Sequence, residues 1–252
     1  MNDERFMAAR QSVLTPDARE RHGIGMQKEK TLHAVFKNYE DPDPDHQEIP
    51  LVGNFVADIF DGKTVIEIQN GNFGHIRERL AAFLPLYPVR VVYPIPHIKY
   101  ITWVDPETGE LGKRSKSPRK GTFYDGFEQL YKIKPFLRDP NLTIDLVLTD
   151  MEEYRLRDGW DRSGKRGSHR FDRVPTAIAE ELVLESPGDY LAFVPYDLAE
   201  PFTAAEMAKS AGFRKDGFSG IVKLLTELGV LTRTGKRGRA YLYSVCEEYK
   251  NR

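Results

Sequence analysis

The chain of 252 residues has one cysteine, Cys246. That excludes an internal disulfide and a structural zinc built on cysteines, and it fits a reducing compartment. No apolar run approaches the roughly 18 residues a membrane helix needs. The N-terminus, MNDERFMAARQS, carries early acids and lacks the apolar core of a secretory leader. There is no excess of either charge: 37 basic residues stand against 38 acidic ones. Whole-chain charge therefore says nothing about partners, and only local clustering can. No Walker-type phosphate loop and no contiguous Ser/His/Asp motif occurs. These absences leave a cytoplasmic protein with no membrane partner as the expectation. Its apolar content of 40% and charged content of 30% are ordinary for a globular chain.

What is present begins with a polar N-terminal tail or helix, residues 1–23. Residues 26–39 place Leu32, Val35, Phe36 and Tyr39 at helical spacing. The Asp-Pro pairs of DPDPDHQEIP then interrupt any regular element. VADIFDGKTVIEIQ, residues 56–69, reads as a β-hairpin turning at Asp61-Gly62. With a two-residue loop, Phe60 pairs with Lys63, Ile59 with Thr64 and Asp58 with Val65. Strand alternation then gathers Asp58, Val65, Glu67 and Gln69 on one face and Ile59, Ile66 and Ile68 on the other. An amphipathic stretch, HIRERLAAFLPL, and a buried-looking strand, VRVVYPI, complete a βαβ unit.

Two carboxylates this close repel unless a positive charge lies between them. A divalent cation is the economical answer, because Mg²⁺ takes oxygen ligands from one or two carboxylates, water and phosphate. Asp58 and Glu67 are the candidate ligands, and the Ile68 carbonyl is a possible third oxygen. Glu29 falls three, four and seven residues before Leu32, His33 and Phe36. It therefore sits on or near the helix's buried stripe and could reach the same place. The alternative is a sheet with one wet face, where acids and amides are normal. His33, one turn past Glu29, is a candidate general base or simply a hydrogen-bonded histidine.

A helix with Glu29, a hairpin with Asp58 and Glu67-x-Gln69, a helix and a parallel strand together resemble the PD-(D/E)XK nuclease superfamily over residues 24–104. That resemblance implies an α-β-β-β-α-β core, with metal on Asp58 and Glu67 and a supporting acid at Glu29. Gln69 stands where the family usually has Lys, and Ala57 where the signature often has Pro. An amide orients water but brings no charge. The implied cofactor is Mg²⁺ or Mn²⁺. The implied activity is hydrolysis of DNA phosphodiester bonds, in a restriction or defence setting, with a homodimer as a family habit. The alternative is a non-catalytic DNA-binding regulator with a degenerate nuclease fold, and an RNA substrate also stays open.

Two further features bear on nucleic acid. The loop GKRSKSPRKG carries Lys113, Arg114, Lys116, Arg119 and Lys120 without an acid. It is either a phosphate-contacting loop or a solvated one. From residue 174 the pattern reads as three helices and a two-stranded ribbon, the shape of a winged helix-turn-helix. The first of these helices is TAIAEELVLES, and Thr203 and Glu206 form a capping box opening the second. Arg214, Lys215 and Lys223 lie on or before the third helix, and Arg233, Lys236, Arg237 and Arg239 lie at the ribbon tip. Duplex DNA is the expected partner. The expected architecture is thus α/β: a restriction-endonuclease-like mixed sheet flanked by helices over 24–155, a basic linker over 156–173 and a winged helix domain over 174–252.

Overall fold

A computed structural model of the chain describes residues 3–15, 31–160, 166–213 and 218–250, with backbone alone at 157–160 and 166–169. Two compact units emerge. The first takes residues 1–71, 90–125 and 145–182; the second takes 72–89, 126–144 and 183–252.

In the first unit the helical spacing of Leu32, Val35 and Phe36 is realised as α2 (Thr31–Glu40), which follows α1 (Asp3–Leu14). All three side chains are fully buried. Phe6 of α1 meets Phe36 and Tyr39 edge-on, with ring centroids 6.1 Å and 5.6 Å apart. The N-terminal segment is therefore a packed helix. Its core continues through Ile68, Val92, Val147, Met151 and Ile178. These residues sit on β3 (Val65–Ile68), β4 (Val89–Val104), β6 (Leu142–Trp160) and β7 (Arg166–Leu184). Each such apolar side chain contributes about 1.5–3 kcal/mol on burial.

β1 (Gln47–Pro50), β2 (Val56–Phe60) and β5 (Ser115–Lys116) complete a seven-stranded sheet in the order β1-β2-β3-β4-β6-β7, with β5 against β4. The sheet is mixed. β1, β2 and β3 form an antiparallel meander. Side-chain pairs climb together along β4 and β6: Arg90 with Asp145, His97 with Asp150, Lys99 with Glu153. That is the order of a parallel pair. α3 (Arg77–Phe83) lies between β3 and β4 in the chain.

Four readings of the sequence need correction. The Asp-Pro stretch holds a short 3₁₀ turn, Pro44–His46, with Asp43 accepting from the Asp45 amide, and then β1. The strand read as VRVVYPI, residues 89–95, runs on without a break to Val104. Its second half pairs with β5 at Tyr100 and Ile101, past the end of β3. The stretch read as a basic linker is strand at residues 156–160 and 166–173, while 161–165 lie outside the described residues. TAIAEELVL is not a helix; it continues β7. Ala, Glu and Leu favour helix locally, but pairing with β6 overrides a weak propensity. Pro175 is the legible clue, since β7 ends the sheet order and edge strands tolerate proline and charge.

The second unit holds α3, α4 (Phe127–Lys132), β8 (Phe202–Thr203), α5 (Ala204–Ser210), α6 (Phe218–Glu227), β9 (Leu231–Arg237) and β10 (Ala240–Val245). The three strands form a sheet in the order β8-β10-β9. The capping box is present: Thr203 Oγ1 accepts from the Glu206 amide at 3.2 Å, and Glu206 Oε2 accepts from the Thr203 amide at 2.7 Å. Phe127 and Phe193 pack edge-on at 4.5 Å. A 3₁₀ turn at 187–193 follows the stretch 176–186 that was expected as the first helix and is strand as far as Leu184. Among the described residues no helix is long and apolar enough to cross a membrane.

Candidate metal site and basic surfaces

The hairpin of β2 and β3 pairs Ile59 with Ile66 and Phe60 with Val65. Its loop is therefore Asp61–Thr64, four residues rather than two. Asp61 Oδ1 accepts from the Lys63 and Thr64 amides at 2.8 Å and 2.7 Å, and Gly62 takes φ +88°, which favours glycine. The register differs from the expected one by two residues. An even shift keeps every side chain on its face. One step beyond the Ile59–Ile66 pair, Asp58 comes opposite Glu67.

Asp58 is nearly buried, and its Oδ2 accepts from the Ile68 amide at 2.7 Å. His33 Nε2 from α2 lies 3.1 Å from the same oxygen. Asp58 Oδ1 has no hydrogen bond among the described residues. Glu67 is 0% exposed, which is costly for a carboxylate and calls for a compensating charge or bond. Gln69 is half-buried, and its backbone N–H donates to the Val92 carbonyl at 2.8 Å. Ile68 enters by its amide, while its side chain belongs to the core.

Glu29 lies outside the described residues, as do Arg214 and Lys215. Among the described residues no group of three or more His, Cys, Asp or Glu side chains is placed to hold a metal. The hairpin alone therefore offers two carboxylates on one face. That donor set suits Mg²⁺, which completes its shell with water and phosphate oxygens.

Arg173 was missed because its segment read as a linker. It is buried, and its Nη2 donates to the Asn70 carbonyl at 3.1 Å, two residues beyond Ile68. Burial, with the charge of Arg170 adding, brings its guanidinium down to about 10. Nothing local in the sequence separates Arg173 from its basic neighbours.

The basic loop is partly neutralised. Arg114 makes a bidentate pair with Glu152, Nη2 to Oε1 at 2.6 Å and Nε to Oε2 at 3.2 Å, and stacks 3.4 Å from the Tyr100 ring. Arg119 pairs with Asp125. Lys113, Lys116 and Lys120 are exposed, without an ion-pair partner among the described residues. In the second unit, Arg233 stacks on Tyr241 at 3.0 Å and Lys236 lies 4.9 Å from the same ring. Arg237 is committed to Glu206 at 2.6 Å, and Lys223 lies 3.9 Å from Glu227. Arg239 is exposed beside Gly238, whose φ of +62° opens the two-residue ribbon turn. Cys246, half-buried just past β10, has its thiol pushed up by burial first and then by the charges of Glu248 and Glu247.

A family model, "Domain of unknown function (DUF8091)", matches residues 30–185, more than half of the chain. The chain belongs to the DUF8091 family. The DUF8091 match begins one residue before α2 and ends one residue after β7, so it takes in the whole seven-stranded sheet. The chain is also similar to an uncharacterized protein of Treponema pallidum (strain Nichols). Identity is 25% over 216 residues, covering 86% of this chain and 85% of the relative. No solved structure matches the chain.

Proposed function

We propose that this DUF8091 protein is a divalent-metal-dependent nuclease acting on DNA. The observation that carries the reading is the opposition of Asp58 and Glu67 on adjacent strands of an α2-β1-β2-β3-α3-β4 succession. Four neighbouring strands keep chain order there, as in the α-β-β-β-α-β core that the sequence resembles.

Asp58 and Glu67 would hold Mg²⁺ or Mn²⁺, with Glu29 and the Ile68 carbonyl as the further donors proposed from the sequence. A bound metal supplies charge to a phosphoryl oxygen and lowers the pKa of its water. The other parts belong to the chain itself. The Ile68 amide and His33 hold the Asp58 carboxylate in one orientation. Gln69, at the end of β3, orients water through its amide. In the second unit, β8-α5-α6-β9-β10 follows the element order of a winged helix. α6 with Lys223 would enter a groove, and the β9–β10 tip would meet phosphate through Arg233, Lys236 and Arg239. Arg237 is the weakest of the proposed contacts, because Glu206 already neutralises it.

The full burial of Glu67, together with Gln69 in the place of the usual Lys, favours a second reading: a DNA-binding protein whose site no longer cuts. One experiment separates them. Plasmid and linear DNA are incubated with wild type, Asp58→Asn or Glu67→Ala in Mg²⁺, Mn²⁺ or EDTA. Nicking that needs metal and disappears in both variants supports the nuclease. No cleavage by any of the proteins, with metal-independent DNA binding retained, refutes it and leaves the DNA-binding protein. Light scattering with and without duplex tests the homodimer expected of a two-strand cutter.

A further inference from the structure

The most unusual charge arrangement in the first unit lies on β4, β6 and β7, not on the hairpin. Glu153 of β6 has a side chain 1% exposed. Three cations converge on it: Lys99 Nζ at 3.0 Å, Arg155 Nη2 at 2.5 Å and Arg170 Nε at 3.5 Å. A fourth, the buried Arg173, lies within range of the same carboxylate. Among the described residues the other acid here is Asp172, whose Oδ2 takes the Thr31 hydroxyl and whose Oδ1 takes the Arg173 amide. Among the described residues, four cations against two carboxylates leave two positive charges over.

One carboxylate cannot use so many donors. It has about four lone-pair positions, whereas two guanidinium forks and an ammonium bring more than that. Arg155 and Arg170 keep N–H groups to spare, and their planar forks match phosphate oxygens. The group is also accessible, since the side chains of Lys99, Arg155 and Arg170 are 19%, 29% and 49% exposed. Lys99, Arg155 and Arg170 stand on three adjacent strands, so the row runs across about 10 Å of sheet, two strand spacings. That is longer than a single phosphate. Arg173, on the same strand as Arg170, reaches the carbonyl of Asn70, two residues beyond the end of the strand that carries Glu67.

We infer that Lys99, Arg155, Arg170 and Arg173 form a seat for the phosphodiester backbone of a nucleic-acid strand, leading it toward the end of β3. Glu153 is the internal counter-ion that holds the cations in place when the seat is empty. The inference rests on the nucleic-acid reading above but not on cleavage.

The test is binding in EDTA, read separately from nicking. Fluorescence anisotropy follows labelled 20-nucleotide single strands and duplexes across a salt series. The proteins are wild type, Arg170→Ala, Lys99→Gln/Arg170→Ala and Glu153→Gln, each checked for folding by circular dichroism. Losing two phosphate contacts should weaken binding about tenfold or more and flatten the log–log salt slope by about 1–2. Glu153→Gln should tighten binding even where it lowers the melting temperature; a merely structural Glu153 would weaken both. Arg170→Ala, at an exposed position, keeps the test open if Glu153→Gln does not fold. Wild-type binding left unchanged by the variants overturns the seat but not the nucleic-acid reading. No binding by wild type overturns both. Inorganic pyrophosphate that stabilises wild type but not Arg170→Ala, without nucleic-acid binding, assigns the row to small phosphate compounds and also overturns the seat.

Discussion

Replacing Glu40 by Gln should remove much of the protein's pH dependence of stability. Glu40 ends α2, where the helix dipole already disfavours an acid. Its side chain is 7% exposed, and Arg90 Nη1 lies 2.9 Å from Oε2. The same Arg90 pairs with buried Asp145 and feels the charge of Glu181. One guanidinium therefore serves three acids. Burial first, with the charge of Asp145 adding and Arg90 opposing, raises Glu40 to about 7 from 4.5. Asp145 and Glu181 are raised as well, chiefly by burial. A carboxyl with a raised folded pKa binds its proton more tightly in the native state. Its contribution is complete below the unfolded pKa and is lost as pH climbs through the folded one. At about 1.4 kcal/mol per unit, a shift of that size is worth about 3 kcal/mol between pH 4.5 and 7. Glu153 runs the other way: the Lys99 and Arg155 hydrogen bonds outweigh burial and hold it low, so its loss falls below this window. Melting followed by circular dichroism at pH 5.5, 6.5, 7.5 and 8.5, at constant ionic strength, should show wild type most stable at the acid end. Glu40→Gln should be flatter and at pH 8.5 at least as stable as wild type. A wild-type melting point that is flat or rises with pH would refute the reasoning. A Gln variant that keeps the full slope would refute its assignment to Glu40.

Two further outcomes are expected. Gly121→Ala would place a Cβ 1.9 Å from the Pro96 carbonyl oxygen, so backbone must move where the basic loop returns to β4; a loss of about 2 kcal/mol or more in denaturant unfolding is expected. Thr203→Ala removes the hydroxyl that caps α5 and should cost about 1 kcal/mol, read as a shift in urea midpoint at unchanged slope.

The hairpin was legible because its signal has period two. The loop is two residues longer than an Asp-Gly turn suggests, yet Asp58, Val65 and Glu67 stay on one face, since only an odd shift exchanges faces. α2 was legible for a similar reason: Leu32, Val35 and Phe36 declare a stripe that one helix can bury by itself. β1 was hidden because its partner, β2, decides what a proline-bounded tetrapeptide becomes. The seven-stranded sheet was expected only as a mixed core flanked by helices, and that much holds.

β7 failed for a deeper reason, and the failure bears on function. Residues 166–173 show many charges and no apolar period, which is the usual mark of a loop. They are strand because their partners are β6 residues on the other arm of a long hairpin. Arg170 is held in part by Glu153, a compensation that no window around residue 170 contains. Periodicity finds elements that bury apolar surface, and it is blind to elements whose stability comes partly from charges paired across strands. A basic strand that folds on an internal carboxylate keeps its cations ordered before any ligand arrives. Most of the ordering entropy is then lost on folding rather than on binding. A solvated linker with the same composition would lose that entropy at each encounter. The segment with so poor a sequence signal thus contributes Arg170 and Arg173 to the group of cations around Glu153.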